Sequence, residues 1–574
     1  MLSENRHPSS QHLLRDIVFL GLALMVFYTL WLGSYPLFTP DEGRYSEVAR
    51  EMMATHDYIT PRVDGVAFLD KPVLYYWLQA AAMRLFGIKE WAVRFFPVVF
   101  GVFGCLLTYL SGRRLFDRRT GVISALMLAA TPLYFIGAHY ANLDLEVAVL
   151  ISSTLLFFIT GVQCTGKSRT YLLMLAYIAA ALAFLTKGLI GIAFPAMIAG
   201  LWMILLNQWK LLTKIHLIKG VILAAMIVLP WYYLVQQANP EFLHYFFVTQ
   251  QVTRFLSSAE FNNPTPFWFY LPIVLIGFFP WTGFLLQACT DSIRRILKAR
   301  HTHQTELFLL IWIFVIFLFF SFPRSKMITY ILPVFPALAL LVGRYLSSMW
   351  ERTNSRDIYL GILSVITLSI AAAITLVSTA HYHWIDIPAG FKPYLNIIVI
   401  VLVLNAWVSI LIMRRKNLLP VFVMTAISSM LILLTIMLGA KHLNQNSAKP
   451  LVATLKTIVQ PEDEVIHYFR FYQDVPLYLE RRVTLVADWT SPKIPYKDNW
   501  VRELWYGMPF QNTADWLITE NIFWERWNGN KRVFVFLSSN YFQQFKMHTN
   551  SYYFIGKHQG IMLLSNKPTV LHSS

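Results

Sequence analysis

Residues 17–35 read IVFLGLALMVFYTLWLGSY, and a few residues later the chain turns to Thr39-Pro40-Asp41-Glu42-Gly43-Arg44-Tyr45. An uncharged apolar run of this length is what crosses the hydrocarbon of a bilayer. Acids and bases packed densely beside a membrane span are costly to desolvate, so they read first as a functional site. Thr39 and Glu42 stand at capping-box spacing with Pro40 between them, which predicts a helix start. That helix places Asp41, Arg44 and Tyr45 on one face. The plainer alternative is an amphipathic helix lying on the bilayer with its charges solvated.

The same alternation continues along the chain. Hydrophobic residues make up 56% of the 574 positions and charged residues only 14%, with a mean hydropathy of +0.50. A soluble domain is usually about a quarter charged. The chain therefore reads as a polytopic α-helical membrane protein. Counting apolar runs predicts about thirteen spans, at 17–35, 92–111, 121–138, 143–162, 171–186, 188–206, 219–235, 266–288, 306–322, 327–346, 358–380, 394–413 and 418–439. The stretch 73–87 is better read as a membrane-surface helix.

A formal charge of +17 raises the possibility of nucleic acid. The basic residues, however, form no single patch. They recur in short clusters between spans: Arg113-Arg114 with Arg118-Arg119, Lys210 with Lys214 and Lys219, Arg294-Arg295 with Lys298 and Arg300, and Arg414-Arg415-Lys416. That is the pattern of cytoplasmic loops, so no nucleic-acid partner is expected. The N-terminus then lies in the cytoplasm, and the first span is uncleaved. Loops 37–91, 139–142, 236–265, 323–326 and 381–393 face outward. Only Cys105, Cys164 and Cys289 occur, with no metal-type spacing and no pair for an external disulfide.

Composition changes near Lys441. Residues 1–440 read as the transmembrane domain with its large first outer loop, and 441–574 as an extracytoplasmic α/β domain. In the latter, helices are predicted at Leu451–Val459 and Ala514–Arg526, with strands at Val465–Phe469, Val483–Ala487 and Val533–Leu537.

Polar residues recur at the outer edges of the spans: Asp41 and Arg44, then Asp70-Lys71-Pro72, Asn142-Leu143-Asp144-Leu145-Glu146, Thr186-Lys187-Gly188, Gln250-Gln251 with Arg254, and Arg324-Ser325-Lys326. If the spans bundle, these converge on one outward-facing cavity. Two carboxylates, Asp41 and Asp144, among the cations Arg44, Lys71, Lys187, Arg254 and Lys326 suit chemistry on a phosphate-bearing substrate. Cations hold phosphate oxygens and stabilise a departing phosphate, while a carboxylate orients an attacking group or supports charge at a sugar carbon. Each residue also has a structural reading. Glu42 completes the cap, Asp41 offsets the helix dipole, Asp144 competes as an N-cap, Lys187 snorkels, and Arg324 and Lys326 anchor the interface. There is no glycine-rich phosphate loop and no Rossmann fingerprint. Nor is there a cytosolic segment large enough to bind a nucleotide sugar, which favours a lipid-linked donor.

The string Pro40-Asp41-Glu42-Gly43-Arg44-Tyr45, followed by Glu47, Ala49-Arg50-Glu51-Met52 and Asp70-Lys71-Pro72, resembles the first periplasmic loop of the bacterial lipid A aminoarabinose transferases. These are membrane enzymes of the GT-C fold related to protein O-mannosyltransferases. The likeness extends through Val93-Arg94-Phe95, Leu185-Thr186-Lys187-Gly188, Phe246-Phe247 to Arg254-Phe255, and Lys326 to Tyr330-Ile331-Leu332-Pro333. It implies Asp41 and Asp144 as the two key carboxylates. It also implies that Arg44, Tyr45, Lys71, Lys187, Arg254 and Tyr330 surround the carrier phosphate. The family commonly has Glu-Lys-Pro where this chain has Asp70-Lys71-Pro72, and often Glu-His where it has Gln250-Gln251. An amide is a weak ligand beside imidazole, so no metal cofactor is expected.

The resemblance implies a glycosyltransferase that moves aminoarabinose or a related sugar from a polyprenyl (undecaprenyl) phosphate to lipid A or another periplasmic acceptor. One alternative keeps the donor and makes the acceptor a protein hydroxyl, as in O-mannosyltransferases. The other is a lipid transporter or flippase. Transporters usually place polar groups at the bilayer midplane and carry internal repeats. Here the charges sit at the outer span ends and no repeat is visible.

Overall fold

The computed structural model describes residues 12–253, 265–350, 355–413, 418–444, 446–497 and 499–568. Arg254 and the basic cluster Arg414-Arg415-Lys416 lie outside the described residues. Among those described, nine helices are long and apolar enough to cross a membrane. Two bent pairs, Arg118–Ala129 with Pro132–Ala138 and Phe267–Gly277 with Trp281–Lys298, raise the number to 11 if each is one span. Their bends of 66° and 109° fall beside Pro132 and Pro280. Proline cannot donate to the helix ladder and clashes with the preceding turn. The helices Leu13–Thr29 and Ile190–Leu205 are shorter, at 17 and 16 residues. Every predicted span thus has a helical counterpart, but thirteen is reached only by counting both bent pairs and both short helices. Stretch 73–87 forms the 13-residue helix Leu74–Phe86.

The chain forms two compact units: Met1–Ser34, Arg94–Pro230 and Thr265–Leu443, and Tyr35–Val93, Trp231–Pro264 and Asn444–Ser574. The first outer loop therefore belongs with the C-terminal segment.

The first unit is helical. Leu143–Val162 and Gly166–Lys187 pack along each other as an antiparallel hairpin. Asp16, near the start of Leu13–Thr29, accepts hydrogen bonds from the Tyr109 hydroxyl at 2.8 Å and from Arg118 at 2.6 and 2.8 Å, with Arg113 at 3.3 Å. The N-terminal end of the first helix is thereby fixed beside one of the basic clusters. Fully buried Arg94 donates to the Leu32 carbonyl at 3.1 Å.

The second unit contains a six-stranded sheet, with β1 Glu464–Tyr468, β2 Thr484–Val486, β3 Leu517–Ile518, β4 Val533–Ser538, β5 Tyr553–His558 and β6 Ile561–Ser565. The order is β3-β2-β1-β4-β6-β5. β1 runs parallel to β2 and β4, β3 runs parallel to β2, and β6 is antiparallel to β4 and β5. The period-2 alternation sends Ile466, Tyr468, Val533, Val535 and Leu537 into a core shared with Phe523, Trp527 and Phe545. The helix expected over Ala514–Arg526 divides in two. Leu517 and Ile518 pair with Leu485 and Val486 as a strand, and the helix runs only over Glu520–Trp527.

The capping box does not form as predicted. The helix starts at Asp41 and runs to Thr55, and Glu42 accepts the amide of Phe38 at 2.7 Å rather than that of Thr39. Thr39 instead donates its hydroxyl to the Asn446 carbonyl at 3.3 Å. The first turn of this helix lies directly on the backbone before helix Val475–Leu479. A Cβ on Gly43 would meet the Asp474 nitrogen and the Gln473 carbonyl carbon, each at 2.8 Å. Asp474 itself is buried and accepts from Ser447 at 2.8 Å and from the Ala448 amide at 2.9 Å, and burial pushes its carboxyl up to about 6.

Backbone atoms cannot yield as a flexible side chain can, and overpacking of this kind typically costs about 1–3 kcal/mol. Gly43→Ala is expected to lower the thermal unfolding midpoint of the purified protein by several degrees. An unchanged midpoint would contradict the close approach of these two segments.

Candidate active site

In the first unit, the first polar cluster is built at the open ends of the helix hairpin, opposite the turn at 163–165. Asn142 caps Leu143–Val162, its side-chain oxygen accepting the Asp144 amide at 2.9 Å. Asp144 is therefore not the cap, and its carboxylate is available for other partners. It pairs with the Lys187 ammonium and accepts a short hydrogen bond from the Thr329 hydroxyl. Lys187 is the last residue of Gly166–Lys187, where Gly188 ends the helix with φ of +88°. This conformation suits glycine, which carries no Cβ.

The Lys187 ammonium also sits 4.2 Å from the centroid of the Tyr330 ring. That ring packs on Phe320, and the Tyr270 hydroxyl donates to the Met327 carbonyl at 2.9 Å, fixing the segment that carries Thr329 and Tyr330. Thr186 donates to buried Glu146 at 3.4 Å. Lys326 donates to the Thr265 and Pro266 carbonyls, both at 3.2 Å, so it binds backbone within the same unit. Asp144, Lys187 and Tyr330 are thus brought together as one ion pair covered by an aromatic face.

In the second unit, Asp41 and Arg44 meet as their spacing predicts, at 2.5 Å. Arg44 also pairs with Glu503 on helix Trp500–Trp505, a carboxylate that sequence reading missed. The guanidinium lies 5.0 Å from the Tyr45 ring centroid and 5.6 Å from that of Phe68. Tyr45 is buried among Phe68, Tyr75 and Tyr76, so its ring belongs to the core that supports Arg44.

Further along the same helix, Arg50 bonds Glu47 at 2.5 and 2.7 Å, and Glu51 accepts the Gly65 amide at 2.7 Å. Burial, with Glu47 close by, pushes the Glu51 carboxyl up to about 8. This second acidic group ties the helix to the hairpin Arg62–Val63 and Val66–Ala67.

Lys71 stands between Asp70 and Pro72, just before helix Leu74–Phe86. Asp70 accepts the Tyr245 hydroxyl at 2.5 Å and the Gln250 amide at 3.1 Å, and Gln250 also donates to the Tyr245 oxygen at 2.7 Å. Gln250 thus supplies an amide partner to Asp70, while the side chain of Gln251 lies outside the described residues. Tyr245 and Gln250 lie in a π-helical segment, His244–Thr253. Such wide turns are rare and are often found at functional positions. Among the described residues no group of three or more His, Cys, Asp or Glu side chains is placed to hold a metal ion.

Residues 70–234 match the family model described as dolichyl-phosphate-mannose-protein mannosyltransferase. Over 383 residues the chain is 31% identical to undecaprenyl phosphate-alpha-4-amino-4-deoxy-L-arabinose arabinosyl transferase 2 of Proteus mirabilis, covering 64% of this chain and 67% of the relative. Over 411 residues it is 30% identical to arabinosyl transferase 1 of the same description from Sodalis glossinidius, covering 70% and 72%. Other curated relatives are spanned over as little as 58% of their length. The crystal structure of ArnT from Cupriavidus metallidurans bound to undecaprenyl phosphate superimposes with a TM-score of 0.84 at 26% identity, over 96% of this chain and 98% of that one. With its helical span pattern and sheet-bearing second unit, the chain belongs to the aminoarabinose transferase-like family of GT-C membrane proteins, related to the O-mannosyltransferases.

Proposed function

We propose that this multi-pass membrane protein is an inner-membrane glycosyltransferase. It takes 4-amino-4-deoxy-L-arabinose or a related sugar from undecaprenyl phosphate and passes it to lipid A or another periplasmic acceptor. The observation that carries the reading is the Lys187 ammonium, held by Asp144 and set against Tyr330 at the end of a membrane helix hairpin. In the reaction the bond between the sugar C1 and the carrier phosphate oxygen breaks, and its electron pair stays with the phosphate. An oxygen of the acceptor forms the new bond to C1. A lipid A phosphate is already ionised and needs little deprotonation. The main demand on the enzyme is to stabilise charge gathering on the departing carrier, which a fixed cation does well in a site shielded from water.

The residue roles follow from that demand and from the family resemblance. Lys187 contacts the carrier phosphate, with Tyr330 as its aromatic wall. Asp144 holds the ammonium in place. Arg44, Tyr45, Lys71 and Arg254 complete the carrier-binding set, with Tyr45 acting through its packing against Arg44. Asp41, held by Arg44, acts on the sugar or the acceptor, because it would repel the phosphate. The N-terminus is cytoplasmic and residues 441–574 are periplasmic. The contact of Asp16 with Arg113 and Arg118 supports this orientation, since it sets the N-terminal end of the first helix beside a basic cluster.

Single-turnover transfer by the purified protein, with a polyprenyl-phosphate-linked sugar and lipid A, tests these roles. Removing one electrostatic contact to the developing charge typically costs about 100- to 1,000-fold in turnover. Lys187→Ala is expected to fall by that order. Lys71→Ala should weaken donor binding as well as turnover, and Asp41→Asn should lower turnover far more than donor binding. Near wild-type transfer by folded Lys187→Ala or Asp41→Asn would overturn the assignments. Reporter fusions at Asn446 test the orientation: alkaline phosphatase activity is expected there, and a signal only from a cytoplasmic reporter would contradict it.

A further inference from the structure

The hairpin that presents Lys187 has a second end. Leu143–Val162 runs from Asp144 to the turn at 163–165, and Gly166–Lys187 returns from it. At 1.5 Å per residue the turn lies about 30 Å from the Asp144–Lys187 pair. Two adjoining cavities open there, both lined by Tyr171.

One is a cleft of about 890 Å³ between the start of Gly166–Lys187 and residues 213–216, lined by Lys167, Arg169, Lys214 and His216. The other, of about 550 Å³, has an apolar wall including Leu107, Leu110 and Phe157 and is also lined by Arg113 and Arg114. Among the described residues no carboxylate lines either cavity. Lys167, Arg169 and Lys214 make no ion pair among the described residues, and the Arg169 Nε is buried with no hydrogen-bond partner. Among the described residues Arg114 reaches only the Cys164 sulfur, at 3.6 Å. By contrast, neighbouring Arg113 is occupied by Asp16 and Tyr109.

Cations that have no counter-charge among the described residues and converge on a cleft from two segments call for an anion. An apolar cavity adjoining that cleft at a membrane helix end calls for a chain attached to the anion. We infer that this end of the bundle binds an anionic phospholipid, its phosphodiester headgroup against Lys167, Arg169 and Lys214 and its upper acyl carbons along the wall of Leu107, Leu110 and Phe157. Basic pockets between membrane helices recognise acidic headgroups in this way. The site is separated from the sugar-transfer centre by the length of the helix hairpin, and it stands whether or not that reading holds.

The test is native mass spectrometry of the purified full-length protein, titrated with phosphatidylglycerol or phosphatidylcholine of the same acyl chains. The wild type should retain phosphatidylglycerol preferentially. The triple variant Lys167→Gln, Arg169→Gln, Lys214→Gln should bind it on the order of 100-fold more weakly, and Lys214→Glu about 30-fold more weakly. Lys214 is exposed, so Lys214→Glu should fold even if the triple variant does not. Lys214→Arg should bind as the wild type does. Equal retention of the two lipids, or unchanged affinity in folded Lys214→Glu, overturns the inference. Displacement of the lipid by millimolar inorganic phosphate would also overturn it, assigning the cleft to a free anion.

Discussion

A lysine and an aspartate drawn into the end of a helix bundle must either neutralise each other or stay in water, and Asp144 and Lys187 take the first course. Removing one member of such a pair leaves the other charge uncompensated, at a typical cost of about 3–5 kcal/mol. The pair is therefore both a structural demand and a chemical resource. Three neighbours make it possible. Asn142 takes over the capping that would otherwise engage Asp144, Gly188 stops the returning helix so that Lys187 is its last residue, and Thr329 satisfies the second carboxylate oxygen. The ring of Tyr330 then shields the ammonium on another side. In the proposed reaction, a charge so fixed would need no reorganisation as phosphate charge develops.

The second unit solves a related problem with more acids than bases. Arg44 lies between Asp41 and Glu503, with the rings of Tyr45 and Phe68 nearby, so its planar fork serves two carboxylates. Arginine suits such a place better than lysine because its donors are arranged for more than one partner. One turn further on, Glu47, Arg50 and Glu51 repeat the theme where water is excluded, and there the Glu51 carboxyl is held up to about 8 by burial and by Glu47. The motif around Asp41 thus combines a group poised at its start with an anchor in its second half. Gly43 lets the whole helix rest on backbone at Asp474.

What could be read from sequence was set by range. Apolar runs and helical spacing are local, so each membrane span has its helix and the Asp41–Arg44 pair forms as spaced. The helix expected at Ala514–Arg526 failed because Leu517 and Ile518 gain more from pairing beside β2 than from another helical turn. β5 and β6 were overlooked although Tyr553–Ile555 and Ile561–Leu564 flank a Gln559-Gly560 turn, a recognisable hairpin signal. Glu503 and Tyr245 carried no local signal. Each reaches its partner across more than 170 residues of chain, and Glu503 sits in an aromatic stretch with no motif around it. The grouping of the first loop with the C-terminal segment was illegible for the same reason. It depends on contacts such as the Leu37 amide to the Tyr478 hydroxyl, 441 residues apart.

We propose that the ion pair at the open end of the hairpin serves the transfer of a lipid-carried sugar. The most direct measurement is the mass spectrum of lipid A from cells that lack the gene, carry it, or carry it as Asp144→Asn at matched protein level. The predicted result is a pentosamine or related sugar increment on lipid A only with the wild-type gene. Identical lipid A in all three strains would contradict lipid A as the acceptor, and a full increment with Asp144→Asn would contradict the role given to the ion pair.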